Sequence, residues 1–120
     1  MAEKDKEREE RIMWEIVVDA HDSDERAMGW WSYLEDCLKF PFLARCAVKR
    51  AASSLKVGDD VEVTGMSSEN CEEDMFVMIR WGKEKLAVPL SQLKPGKDVD
   101  DATRQAVEDW LYWVKQGYEL

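Results

Sequence analysis

Apolar residues recur at helical spacing near the amino terminus. Over residues 5–20 they repeat every three to four positions, which predicts an amphipathic helix. The stripe consists of Ile12, Met13, Ile16, Val17 and Ala20. Because the first ten residues or so are nearly all charged, we expect the start of this helix to be solvated and frayed.

A second amphipathic pattern predicts a helix over residues 24–38. Asp22-Ser-Asp-Glu25 has the form of a capping box, in which Asp22 accepts from a free backbone N–H and Glu25 reaches back to the cap. The apolar stripe is Met28, Trp31, Leu34 and Leu38, widened by Ala27, Trp30 and Tyr33. This pattern predicts that Trp31 is buried. Phe40-Pro41-Phe42 ends the helix, since the residue before proline is biased away from helical conformations.

Short apolar segments separated by turn residues follow, and they predict a β-rich region. Val61 and Val63 alternate with polar residues after a turn at Gly58-Asp59, and Gly82-Lys83 makes a second tight turn. The other candidate strands are residues 43–48, 75–81 and 85–90, and residues 91–93 are expected to form a short helical turn. Several short strands in this order favour a small, bent sheet or SH3-like barrel.

A last helix is predicted after the Pro95-Gly96 break. It starts within residues 98–103, runs to about Lys115 and stops at Gly117. Its apolar face is Ala106, Trp110, Trp113 and Val114. We therefore expect one α+β domain over residues 1–120: two N-terminal helices, a small SH3-like bent sheet or barrel, and a C-terminal helix.

Charge and cysteine content narrow the possible partners and the compartment. The chain of 120 residues has 26 acidic and 17 basic side chains, a formal charge of −9, so nucleic acid and anionic membranes are repelled and cations or a basic protein are favoured. The three cysteines form no CxxC pair, and neither a signal peptide nor a membrane-spanning run is evident. We expect a cytoplasmic monomer with reduced thiols.

The residues needed for catalysis are sparse. His21 is the one histidine, so a zinc site rich in histidine or a two-histidine iron site is impossible. No glycine-rich phosphate loop occurs, and the cysteines have no flanking nucleophile motif. We therefore expect that the protein is not an enzyme.

Clusters of acidic residues are the main candidates for a metal-binding site. Ca²⁺ takes six to eight oxygen ligands, which clustered carboxylates in turns can supply. The clusters are Asp19/Asp22/Asp24/Glu25, Glu35/Asp36, Glu69/Glu72/Glu73/Asp74 and Asp98/Asp100/Asp101. Helix capping is an alternative role for the first and last. An EF-hand is absent: counted from Asp22, its fifth position is Arg26 and its twelfth is Tyr33.

Glu35-Asp36 differs from the other clusters because it lies near the carboxyl end of a predicted helix. The helix dipole disfavours negative charge there, so a compensating cation is expected. That cation could be Lys39, Arg45 or a metal ion.

Several longer strings resemble one family of small bacterial calcium-binding proteins, the CcbP type. The resemblance covers about residues 11–120 and is carried by EIVVDA (15–20), ERAMGWWSYLEDCLKFPF (25–42), VGDDVEV-GM (57–66), MFVMIRW (75–81), LAVPLSQL (86–93) and DWLYWVKQGYEL (109–120). It implies an acidic α+β domain that binds Ca²⁺ without an EF-hand, with Asp36 at the family's ligand position.

We therefore predict a calcium buffer or sensor. Asp36 is the first ligand, and clustering adds further candidates: Glu35, Asp19, Asp22, Asp24, Glu73 and Asp74. The alternative is a protein-interaction module that uses its SH3-like barrel or acidic face to hold a basic partner, without metal.

Overall fold

The computed structural model describes residues 5–17, 22–49, 54–67 and 74–117. In this part of the chain, three α-helices pack with a five-stranded antiparallel sheet, so the predicted α+β class is confirmed. The helices are α1 (Lys6–Arg11), α2 (Ser23–Cys37) and α3 (Asp101–Lys115).

The first helix is shorter than predicted and changes its winding. Asp5 caps α1 by accepting from the backbone N–H of Arg8 at 3.1 Å, and the helix continues as a π-helical turn over Ile12–Ile16. Residues 6–11 are helical, and the fraying expected for the charged start stays a prediction. Within the predicted stripe, Ile12, Ile16 and Val17 are buried, Met13 is 54% exposed, and Ala20 lies outside the described residues.

The second helix begins as predicted but turns a different face to the core. Asp22 accepts from the backbone N–H of Glu25 at 2.9 Å, and extended backbone at Leu38 ends the helix. The predicted stripe is wrong at two positions: Met28 is 71% exposed and Trp31 is only partly buried. The buried face is Ala27, Trp30, Leu34 and Leu38. It is centred on Trp30, about 100° from Trp31 at 3.6 residues per turn.

Five strands follow the predicted order with one addition. They are β1 (Phe42–Cys46), β2 (Asp60–Met66), β3 (Phe76–Trp81), β4 (Glu84–Pro89) and β5 (Leu93–Pro95). Val61 and Val63 point into the core, as their alternation predicts. Gly82 turns the β3–β4 hairpin with φ +61°, a conformation that glycine adopts without a steric penalty.

The sheet is open, with the strand order β4-β3-β2-β1-β5. A 3₁₀ turn over Leu90–Gln92, predicted at residues 91–93, leads into β5, which the sequence pattern did not predict. Because β4 and β5 are the two sheet edges, closure into an SH3-like barrel is not confirmed.

The third helix packs on α2, on the 3₁₀ turn and on the edge strand β5. Asp100 caps it by accepting from the backbone N–H of Thr103 at 2.9 Å. Ala106, Trp110 and Trp113 are buried, and the Trp110 and Trp113 rings meet Trp30 edge-on at 5.0 and 5.5 Å. None of the described helices combines the length and hydropathy that a membrane span requires.

Candidate metal site

The predicted ligands are distributed over three places. Asp22 and Asp24 lie at the amino end of α2, Glu35 and Asp36 lie at its carboxyl end, and Asp74 precedes β3. Asp19 and Glu73 lie outside the described residues. Within residues 5–17, 22–49, 54–67 and 74–117, no three Asp, Glu, His or Cys side chains come close enough to enclose a metal ion.

The two ends of α2 are too far apart to share an ion. Asp24 and Glu35 are separated by eleven positions of one helix, or about 16 Å at 1.5 Å per residue. Oxygen ligands of one Ca²⁺ lie about 2.4 Å from the ion and therefore within about 5 Å of one another. Asp22 and Asp24 cannot join Asp36 in a single coordination sphere.

The carboxyl end of α2 carries two exposed acids without a protein cation. Neither Glu35 nor Asp36 forms an ion pair with any other described residue. Lys39 pairs instead with Asp100 at 3.9 Å, and Arg45 pairs with Asp60 at 2.8 Å.

In the exposed Arg45–Asp60 pair, the hydrogen bond and charge of the Arg45 guanidinium lower the pKa of Asp60, and the carboxylate raises the pKa of Arg45. Both basic residues that could have compensated Glu35-Asp36 are thus engaged elsewhere.

Main-chain carbonyl oxygens at this helix end add to the oxygen atoms that could coordinate a metal ion. The last helical hydrogen bond runs from the Leu38 N–H to the Leu34 carbonyl, and the Lys39 N–H then donates to Thr103 Oγ1 at 2.9 Å. Within the described part of the chain, the carbonyls of residues 35–37 therefore receive no backbone N–H from beyond the helix. Free carbonyls at a helix end carry the negative pole of the helix dipole.

The thiol of Cys37 lies near several carboxylates at the carboxyl end of α2. Burial raises its pKa, and the carboxylates of Asp36, Asp109 and Glu15 raise it further, although a hydrogen bond with Tyr33 opposes the change. Glu15 comes from the π-helical turn, and it was not among the predicted ligands because it is a single acid between apolar residues, Trp14 and Ile16, and not part of an acidic cluster. Asp36 on α2 and Glu15 on the π-helical turn thus act on one helix end.

Glu35 and Asp36 face different flanks of α2, since consecutive helical residues diverge by about 100°. Glu35 shares its flank with Trp31, one turn earlier, whose indole N–H donates to the Ser67 carbonyl at 2.9 Å. Ser67 is the last described residue before the β2–β3 connection, and Asp74 is the first one after it. The structure thus brings the base of this connection to the flank of Glu35.

Asp109 is a carboxylate that the sequence pattern did not identify, and it is fully buried. It accepts from Arg11 at 2.7 and 3.0 Å and from the Tyr33 hydroxyl at 2.9 Å, and Arg8 lies at 3.2 Å. Two guanidinium groups neutralise it, so it is a structural anchor and is not available to a metal. Its position among the apolar residues of α3 was the one feature of the sequence that could have indicated a buried carboxylate.

The donors at the carboxyl end of α2 fit a hard cation. They are carboxylate and carbonyl oxygens, which suit Ca²⁺ or Mg²⁺, whereas zinc and copper prefer nitrogen and sulfur. An ion here would meet favourable potential from the helix dipole and the surrounding acids.

The matches with known proteins all point to calcium binding. The family model Calci_bind_CcbP, described as calcium binding, matches residues 10–114. The crystal structure of Anabaena CcbP is 43% identical with a TM-score of 0.86, over 99% of this chain and 98% of that one. The structure of a calcium binding protein in the calcium-binding form is also 43% identical with a TM-score of 0.86, over 100% of both chains. No curated protein sequence matches.

Proposed function

Since the chain belongs to the CcbP family of calcium-binding proteins, we propose that it binds Ca²⁺ at the carboxyl end of α2 and acts as a cytoplasmic calcium buffer or sensor. The observation that carries the location is the pairing of Lys39 with Asp100 and of Arg45 with Asp60. Among the described residues, it leaves Glu35 and Asp36 without a partner cation at the negative end of a helix.

The ligand set is built around Asp36, with Glu35 and the free carbonyls of the last turn as its neighbours. The position of Ser67 beside Trp31 supports a contribution from Asp74, which follows the β2–β3 connection. Glu73 stays a predicted ligand outside the described residues. Asp22 and Asp24 lie at the other end of α2, where they would serve a second ion. Asp19 stays a predicted ligand outside the described residues. Ca²⁺ would replace carboxylate repulsion with coordination at each place.

The mode of binding differs from an EF-hand. A twelve-residue EF-hand loop that began at Asp22 would end at Tyr33, but Ser23–Cys37 is continuous helix. A loop beginning at Asp98 would likewise run into α3. Both arrangements support ligands that come from separate parts of the chain.

A calcium titration by calorimetry tests this function, together with chelator reversal. Asp36→Asn keeps the side-chain shape but removes its charge, and it should weaken Ca²⁺ binding about tenfold or more. Asp98→Asn, an exposed acid outside the proposed ligands, is the matched control and should bind like the parent. At free Ca²⁺ of about 100 times the dissociation constant, the parent should gain about 2.7 kcal/mol of stability.

Two results would contradict the proposal. Unchanged affinity in Asp36→Asn would show that Asp36 is not a ligand, although calcium binding elsewhere would survive. A parent protein with neither heat nor a thermal shift at millimolar Ca²⁺ would remove calcium binding altogether.

Other features of the function remain proposals. The strand order and the 3₁₀ turn before β5 support an SH3-like arrangement of the sheet. The matched family is a calcium-binding one and not an enzyme family, so we propose no catalysis. The free thiols of Cys37 and Cys46 support a reducing compartment. A monomeric state, and a basic partner on the acidic face as the alternative function, stay predictions.

A further inference from the structure

A groove lies between α3 and strand β5, on the side of α3 that faces away from α2. Its volume is about 730 Å³. From α3 the groove receives Arg104, Glu108, Leu111 and Lys115, which are spaced so that they follow one helical face. The buried Trp110 and Trp113 occupy a different face and meet Trp30 of α2. The groove is therefore distinct from the carboxylates of α2.

The floor of the groove is apolar. It is formed by Val48, Leu93, Leu111 and Val114. Val48 is 42% exposed, and Leu111 and Val114 are only partly buried, so apolar surface at this place remains open to solvent. A concave apolar surface with a charged rim is typical of a site that binds the side chains of a partner protein.

The rim of the groove is positive in a chain whose formal charge is −9. Lys94 and Lys115 are exposed, and neither pairs with a carboxylate of the described residues. Arg104 donates to the carbonyls of Gly96 and Lys97, and it forms no ion pair with a carboxylate in the described part of the chain.

Among the described residues, Glu108 is the one acid in the lining, and it faces Arg8 at 4.0 Å. The groove thus has the opposite sign to the protein as a whole.

We propose that this groove binds an acidic linear peptide of a partner protein, with apolar side chains on the floor and carboxylates at Lys94, Lys115 and Arg104. Recognition runs through side chains and not through strand addition, because β5 has only three residues and Pro95 has no N–H to donate. A long polyanion would meet the acidic remainder of the surface, whereas a short peptide would meet only the groove.

The test is fluorescence anisotropy with a labelled peptide of alternating Glu and Leu, in the presence of chelator. Calcium is absent, so the outcome is independent of the proposed calcium function. Lys94→Glu/Lys115→Glu should weaken binding about tenfold or more, because it reverses two rim charges. The matched control is Lys83→Glu/Lys85→Glu, with the same charge change on the β3–β4 hairpin, and should bind within about twofold of the parent.

A second variant examines the floor without changing charge. Val48→Ser should weaken the same peptide about threefold or more, since it removes an exposed apolar contact. Thermal melts of all variants establish that each is folded.

Three results would overturn the proposal. One is equal loss of binding in the hairpin variant, which indicates nonspecific charge attraction. Another is equal binding of a peptide of alternating Lys and Leu. The third is self-association of the parent in sedimentation that Lys94→Glu/Lys115→Glu abolishes, which assigns the groove to a second copy of the chain.

Discussion

Arg11 and Asp109 stand 98 positions apart in the sequence and form a two-point ion pair in the fold, at 2.7 and 3.0 Å. Asp109 is fully buried on α3, and Arg11 is the last residue of α1. The Tyr33 hydroxyl from α2 completes the contact at 2.9 Å. One carboxylate therefore joins all three helices.

Asp109→Asn should destabilise the protein by about 3 kcal/mol, because it leaves two arginines facing a neutral group. We expect the lower end of the range for broken buried pairs, since the side chains of Arg8 and Arg11 keep about a fifth of their exposure to water. Chemical denaturation measures the change. Asp98→Asn removes an exposed acid and should cost less than about 0.5 kcal/mol. Equal effects of both variants would show that the Asp109 pair contributes little.

Tyr33 should make the fold sensitive to alkaline pH. Burial raises its pKa, and the neighbouring Asp109 carboxylate raises it further. Above pH 10 the unfolded chain ionises this tyrosine while the folded chain does not, so stability is lost as pH rises. Tyr33→Phe should be about 1–2 kcal/mol less stable at pH 7, through the lost hydrogen bond, but should lose less between pH 10 and 11.

Melting temperatures from pH 7 to 11 distinguish the two proteins. Between pH 7 and 9 their difference should stay constant, since neither state titrates at this position. Parallel profiles up to pH 11 would show that the Tyr33 hydroxyl is not held protonated by the fold.

Cys37 offers a chemical readout of a cation at Asp36. Burial and the nearby carboxylates raise the pKa of its thiol, so alkylation by iodoacetamide at pH 8 should be slow. Calcium bound at Asp36 would offset that negative potential, and we expect the rate to rise about twofold or more. Mass spectrometry assigns the modified residue in a Cys71→Ser background. In Asp36→Asn, calcium should not change the rate. A parent rate that is the same with calcium and with chelator would place the ion elsewhere.

Gln92 is fully buried, and neither its amide oxygen nor its amide nitrogen has a hydrogen-bond partner among the residues that the structure describes. Such a group costs stability, whereas methionine fills a similar volume without polar atoms. Gln92→Met should therefore stabilise the fold by about 1–2 kcal/mol in chemical denaturation. Lys85→Met places the same side chain at an exposed strand position and should be near neutral. A loss of more than about 1 kcal/mol in Gln92→Met would indicate that bound water satisfies the amide.

Local patterns predicted the elements well. The Asp22 and Asp100 caps marked the starts of α2 and α3, and the alternation of Val61 and Val63 identified the buried face of β2. These signals succeed because caps and alternation are properties of adjacent residues. Strand β5 was missed because three residues that include a proline give no alternation to read.

Features that depend on residues far apart in the sequence, such as which face of α2 is buried, could not be predicted. The stripe through Met28 and Trp31 is as apolar as the one through Trp30 and Leu34, and only the position of α3 decides which is buried. The position of Glu35-Asp36 near a helix end was predictable because helix ends depend on adjacent residues, and their role as ligands stays a prediction. The use of Lys39 and Arg45 by other acids depends on contacts with Asp100 and Asp60, which are distant in sequence.

The anchoring of α1 bears on where this chain can be shortened. Eleven highly charged residues at an amino terminus look dispensable, and they would be the first to be trimmed for crystallisation. Their removal would delete both arginines that face Asp109 and leave an unpaired negative charge in the interior. If such a shortened protein failed to fold, the failure would not bear on calcium binding. The cause would be the loss of the Arg8 and Arg11 side chains.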